Sequence, residues 1–136
     1  MIALLAVLIS GPLAPPPPDL VGPIQGAIWH DLELNAMIGN GAWNASLWYN
    51  ASSGGAPDLH ILDLRCRGRG GGYDCAFTLM RDGGPGMAFD EVAPDKLDCT
   101  ARLVTRRDGG EVQWRVFHTP PRGAGHSRTS MDCKPA

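Results

Sequence analysis

The amino-acid sequence predicts an α+β domain in which one N-terminal helix packs on a five-stranded antiparallel sheet, connected as a meander and held by two disulfides. Three observations predict it. Apolar residues recur at helical spacing once, over about residues 23–38, and alternate with period two in five later segments. The joins between those segments are short and rich in Gly, Pro and Asp, which favours neighbouring antiparallel strands. Four cysteines in 136 residues make an even set that suits two bridges in one small core.

The chain opens "MIALLAVLISGPLAPPPP". Residues 1–14 read as a signal peptide or N-terminal anchor, because an apolar run leads into small residues. That run is shorter than the roughly 20 apolar residues a crossing helix needs, so no stable membrane span is expected unless the leader is uncleaved. No Lys or Arg precedes the run, and Pro15 directly follows the small-residue site at Ala14. Residues 15–21 form a Pro-rich linker, and 22–136 a single disulfide-stapled domain. A leader together with paired cysteines points to a periplasmic or secreted protein.

In "GPIQGAIWHDLELNAMIGNG", Pro23 suits a first helical turn and the Gly39, Asn40, Gly41 run a stop. Leu20, Ile24, Ala27, Ile28, Leu32, Leu34 and Ile38 fall in one arc that must face a core. Asp31 and Asn35 share that arc. A buried carboxylate is costly without a partner. An arginine, a tryptophan N–H or free backbone groups at the sheet edge are the expected partners; the alternative is a polar-floored pocket between helix and sheet.

The strands follow in order. "AWNASLWYN" alternates with Trp43, Ala45, Leu47 and Tyr49 inward and Trp48 outward. "LHILDLRCR" puts Leu62, Leu64 and Cys66 inward, and "YDCAFTLMR" does so with Tyr73, Cys75, Phe77 and Leu79. "LDCTARLVTR" offers Leu97, Cys99, Ala101 and Leu103, and "EVQWRVFH" offers Val112, Trp114, Val116 and His118. A hairpin turn at Asp108-Gly109 or at Gly109-Gly110 keeps the same inward set. The insert "DGGPGMAFDEVAPDK" at 82–96 is either a contact loop presenting Met87 and Phe89 or a short edge strand that buries them.

Cys66 closes one strand and Cys75 opens the next, so an antiparallel hairpin brings them within disulfide reach. Cys99 to Cys133 is the remaining bridge, and it ties down a tail with no other reason to be ordered. The interval of eight residues between Cys66 and Cys75 does not suit a zinc knuckle, and no metal or cofactor is expected. One "RCRGRGGG" copy inside a bridged loop is not the long, repetitive arginine-glycine pattern of RNA-binding segments.

Charge is unevenly placed. The first 64 residues sum to −5, and the remainder carries 12 basic residues against nine acidic. Parity gathers Arg65, Arg67, Arg102, Arg106 and Arg115 on the outward sheet face, with Asp63, Asp98, Glu111 and Gln113 among them. Such a face is either a self-neutralising surface or a docking surface for an acidic partner, with Trp48 and Phe117 as anchors. An envelope or extracellular protein is the partner expected. Nucleic acid is disfavoured by a pI near 6.0 and by export.

No catalytic residue is assigned. His30, His60, His118 and His126 are scattered, and "GHSR" at 125–128 places His126 beside Ser127 only in sequence. Asn44-Ala45-Ser46 and Asn50-Ala51-Ser52 fit the N-glycosylation tripeptide, or are ordinary polar strand residues. The stretch Cys99 to Cys133, with "WRVF" at 114–117, resembles bacterial subtilisin inhibitors. The Cys-Pro and Asp-Pro segments of that family's reactive loop are absent, so no residue role carries across. One helix on an antiparallel sheet is also similar to cystatin-like folds, which implies nothing about activity.

The sequence therefore predicts a small exported, non-enzymatic protein-binding or inhibitor module. The alternative is a small-molecule binder or minor enzyme with a pocket at Asp31 and Asn35.

Overall fold

The computed structural model describes residues 11–38, 42–51, 59–120 and 128–136. Residues 1–10 of the expected leader, the Gly39–Gly41 stop, and His126 and Ser127 lie outside the described residues. Among the described residues, two helices, α1 (Pro18–Ile38) and α2 (Trp43–Asn50), precede nine strands. The main sheet runs in the order β1 (Leu59–Arg69), β2 (Gly72–Arg81), β5 (Lys96–Asp108), β6 (Glu111–Val116), with β9 (Asp132–Pro135) pairing the first part of β5. Two small pairs complete it: β3 (Gly86–Ala88) with β4 (Glu91–Ala93), and β7 (His118–Thr119) with β8 (Arg128–Thr129). The α+β class, a five-stranded antiparallel sheet and both disulfides, Cys66 to Cys75 and Cys99 to Cys133, are as the sequence predicts.

Helix α1 begins five residues earlier than periodicity suggests, so residues 18–21 of the expected linker are helical. Pro18 sits where a missing N–H costs nothing, and Asp19 lies in the first turn, where the helix dipole favours a negative charge. Ile24, Ala27, Ile28 and Leu32 are buried, and Leu20 packs at the edge of the same core. Each fully buried aliphatic side chain contributes roughly 1.5–3 kcal/mol, which is what holds this amphipathic face on the sheet.

The second element differs from expectation. "WNASLWYN" is helical, not a strand, and it buries Ala45, Ser46, Leu47 and Trp48 in succession. A strand with one face on the core would bury only alternate residues, whereas a helix wedged between two partners buries both flanks. Ala45 and Trp48 join the main core, while Leu47, with Ala51 just beyond the helix, faces a second, smaller one around Ala93. The fifth strand of the sheet is instead the tail strand β9, placed by the bridge at Cys133.

In the sheet, Cys75, Phe77, Leu79, Leu97, Cys99, Ala101, Leu103 and Val116 are buried beneath the helices. Strand β1 departs from simple alternation. Leu62 faces Thr78 and Arg65 faces Ala76, so Asp63 and Leu64 together oppose a single residue of β2. Asp63 takes a positive φ of 55° at this bulge. The extra residue flips parity. Leu64 and Cys66 point inward as expected, but upstream of the bulge Leu59 and Ile61 do so, and Leu62 is exposed. Between β5 and β6 the turn is Gly109-Gly110, both at positive φ, and Leu103 pairs with Val116. Val112 ends up exposed near that turn instead of joining the core.

Candidate functional site

The insert between β2 and β5 forms a hairpin whose register pairs Gly86 with Ala93, Met87 with Val92 and Ala88 with Glu91. Alternation gives its two faces different jobs. Ala93 is fully buried and Ala88 packs beside it against Leu47 and Ala51 of the α2 segment. Gly86 approaches the Ala51 carbonyl so closely that a Cβ would lie 2.3 Å from that oxygen, so only glycine fits. The Arg81 guanidinium donates to the same carbonyl and lies over the Trp48 ring. Burial pushes Arg81 below the ordinary arginine pKa.

Met87 and Val92, on the opposite face, and Phe89 with Trp43 of α2, beside the turn, are exposed, retaining 55%, 65%, 58% and 53% of their accessible surface. Trp43 and Phe89 stack with ring centroids 5.5 Å apart, and the Trp43 indole N–H donates to Glu91 at 3.1 Å. The two-residue turn is Phe89-Asp90, with φ of 53° and 61°. Such turns ordinarily take Asn-Gly or Asp-Gly, and a bulky residue at positive φ carries strain of order 1 kcal/mol or more. An exposed aromatic held in a disfavoured conformation on a rigidly backed hairpin is the most distinctive surface feature among the described residues.

The outward sheet face keeps most of the arginines where parity places them. Arg67, Asp74 and Arg102 form one row across β1, β2 and β5, and Arg65, Ala76, Thr100 and Asp132 form the next. Asp74 accepts from Arg69 and more distantly from Arg102 at 3.5 Å. The Arg69 hydrogen bond holds the Asp74 carboxyl below its usual range. Leu13, Arg67, Asp74, Thr100, Arg102 and Ser130 line an open groove of about 300 Å³. Arg106 is exposed opposite Gln113, and Arg115 bonds Gln113 and the Trp114 carbonyl on its own strand.

The two expected anchors part company. Phe117 is exposed, and its N–H donates to the Arg102 carbonyl. Trp48 is wholly buried in α2, so it cannot serve on that face. The cause is the change of element: a helical Trp48 turns its ring into the core and its indole N–H toward the Asp95 carbonyl at 3.3 Å.

Asp31 and Asn35 are buried, as the arc requires. Asp31 hydrogen-bonds His118, accepts from Thr129 at 2.7 Å, and accepts from the Asn35 amide at 3.0 Å. These contacts latch α1 to the β7–β8 pair. The Asn35 Oδ1 is buried without a hydrogen-bond partner. Neither residue lines the groove above or the second one, of about 560 Å³, between Leu20, the Gly68–Gly72 turn, Tyr73 and Trp114. Thr129 was the partner that sequence spacing could not supply, since it lies 98 residues away. Asn44 and Asn50 sit on α2, with amides donating to the Cys133 and Ser46 carbonyls, not on an outward strand face.

Among the described residues, no helix is long and apolar enough to cross a membrane. No family model matches the chain, and no curated protein and no solved structure matches it, so the function must be argued from these surfaces.

Proposed function

We propose that the chain is a small exported protein-binding module, working in the periplasm or outside the cell, that engages a protein partner through the β3–β4 hairpin. The observation that carries this reading is the Trp43, Met87, Phe89, Val92 surface with its turn at positive φ. Aromatic and Met side chains are enriched at the centres of protein interfaces, and presenting them on a pre-ordered hairpin lowers the entropy lost on binding. The two disulfides are compatible with an oxidising compartment and support export.

A photo-crosslinking side chain placed at Met87, and in a second variant at Val112, tests the reading in the native host. Val112 is equally exposed but lies in β6, near the β5–β6 turn. The reading requires one protein species that crosslinks from Met87, is lost when Phe89→Ser is added, and is absent from Val112. The same species from both positions, or none from Met87, rules it out.

A further inference from the structure

We infer that the free edge of β1 is a docking site for an extended acidic peptide, covered in this structure by the chain's own segment 12–16. The site lies at the Arg69–Gly72 end of the sheet, whereas the hairpin leaves from the Arg81 end, so the two sites are distinct.

Strand β1 pairs with β2 on one side only among the described residues. On its other side one residue pairs with it. Ala14 exchanges both backbone hydrogen bonds with Cys66, N–H to carbonyl at 3.0 Å and carbonyl to N–H at 2.7 Å, in antiparallel sense. Bonded antiparallel pairs recur every second residue, so the next would set residue 12 against Gly68 and residue 16 against Leu64. Both positions are proline, Pro12 and Pro16, and neither has an N–H to donate. The segment therefore shields the edge at a single residue and cannot zip along it. Prolines on a sheet edge protect against strand addition, and here they also make the cover easy to displace.

The side chains say which strand would replace it. In this register Leu13 stands opposite Arg67 and Pro15 opposite Arg65, on the outward face. Arg67 has no carboxylate partner among the described residues, and Arg65 bonds only the Asp63 carbonyl. Leu13 lines the groove beside Arg67 and Arg102 with an aliphatic side chain. An incoming strand with carboxylates at those two positions would oppose both arginines directly, where cross-strand pairs of opposite charge are favourable. The occupant is thus an acidic-X-acidic segment in extended form, with X taking the place of Ala14 and no proline two residues to either side. This is strand addition with charge-coded specificity.

The test uses the full chain and a blocked, fluorescent heptapeptide with Val at its centre, Glu on either side of it and Thr elsewhere. A control peptide carries Pro two residues from the centre on both sides. Binding is followed by anisotropy, and pairing by hydrogen exchange at the Gly68 amide. Ala14→Pro removes the cover's N–H donor and should tighten binding about five-fold, the effect of one modest hydrogen bond. Arg65→Glu with Arg67→Glu should weaken it by about ten-fold or more, with unfolding by urea as the check that the variant remains folded. Protection of the Gly68 amide by the first peptide, together with weaker binding of the proline control, which cannot donate to the Gly68 carbonyl, completes the expectation. No binding to Ala14→Pro, equal binding of the proline control, or binding without Gly68 protection would overturn it.

Discussion

The Arg81 guanidinium carbon lies 5.7 Å from the centre of the Trp48 ring, which makes one buried cation the keystone between α2 and the hairpin. Only its Nη1 is satisfied, by the Ala51 carbonyl, while Nε and Nη2 are buried without a hydrogen-bond partner. Packing should therefore matter more than charge. Arg81→Met keeps most of the volume over the ring and discards two unsatisfied donors, so its stability should stay within about 1 kcal/mol of the parent. Arg81→Ala opens a cavity and should cost about 2–4 kcal/mol. Urea unfolding of both variants checks this, and a loss for Met as large as that for Ala would show that the charge itself holds the hairpin.

The hairpin turn invites the opposite manipulation. Phe89→Asn with Asp90→Gly supplies residues that accept positive φ readily, and should stabilise the protein by about 1 kcal/mol. The same pair of changes should reduce crosslinking from Met87, because the exposed ring is gone. A gain in thermal midpoint together with a loss of partner is the signature of strain retained for binding. If the midpoint falls, the turn is not strained.

At the latch, Asp31→Ala removes the acceptor used by Thr129, Asn35 and His118, and should cost about 3 kcal/mol. Thr129→Val removes one of these bonds and the one its hydroxyl accepts from the Met131 N–H, and should cost about 1–2 kcal/mol. Because the two share a contact, the double variant should lose about 1 kcal/mol less than the sum, which a double-mutant cycle by denaturant unfolding reads directly.

The disulfides should differ in weight. Cys66 and Cys75 are nine residues apart, and Cys99 and Cys133 are 34 apart. By the chain-entropy account, loss of the second bridge should cost about 1 kcal/mol more than loss of the first. Paired Cys→Ala variants, compared by thermal unfolding, check the order.

Legibility in the sequence followed locality. The inward sets of β2 and β5 could be read from alternation because both strands are central and have one face on the core throughout. The bridge at Cys66 and Cys75 followed from the same parity. Alternation misled at residues 43–50, where apolar and polar residues alternate by accident; the buried flanks of α2 depend on Ala93 and on the sheet, far away in sequence. The bulge at Asp63 was invisible because a single residue at positive φ leaves no periodic trace. For the candidate site, Met87 and Phe89 were recognisable as residues of interest, but Val92 became the neighbour of Met87 only through the register of the hairpin, and Trp43 that of Phe89 only through the packing of α2 beside the turn. Asp31 signalled a need for partners; it could not name His118 and Thr129, which the meander returns to it from the other end of the chain.

The placement of the two bridges also fixes how the molecule would answer a mechanical load. A pull applied at both ends would enter at Cys66, cross the cystine to Cys75, run along the chain to Cys99, and leave through Cys133. The loops closed by the bridges would bear no tension. Within the span from Cys66 to Cys133, only the stretch from Cys75 to Cys99 could lengthen, and that stretch contains β2, the hairpin and the first residues of β5. Within that span a tether would therefore act on the very element that presents Phe89.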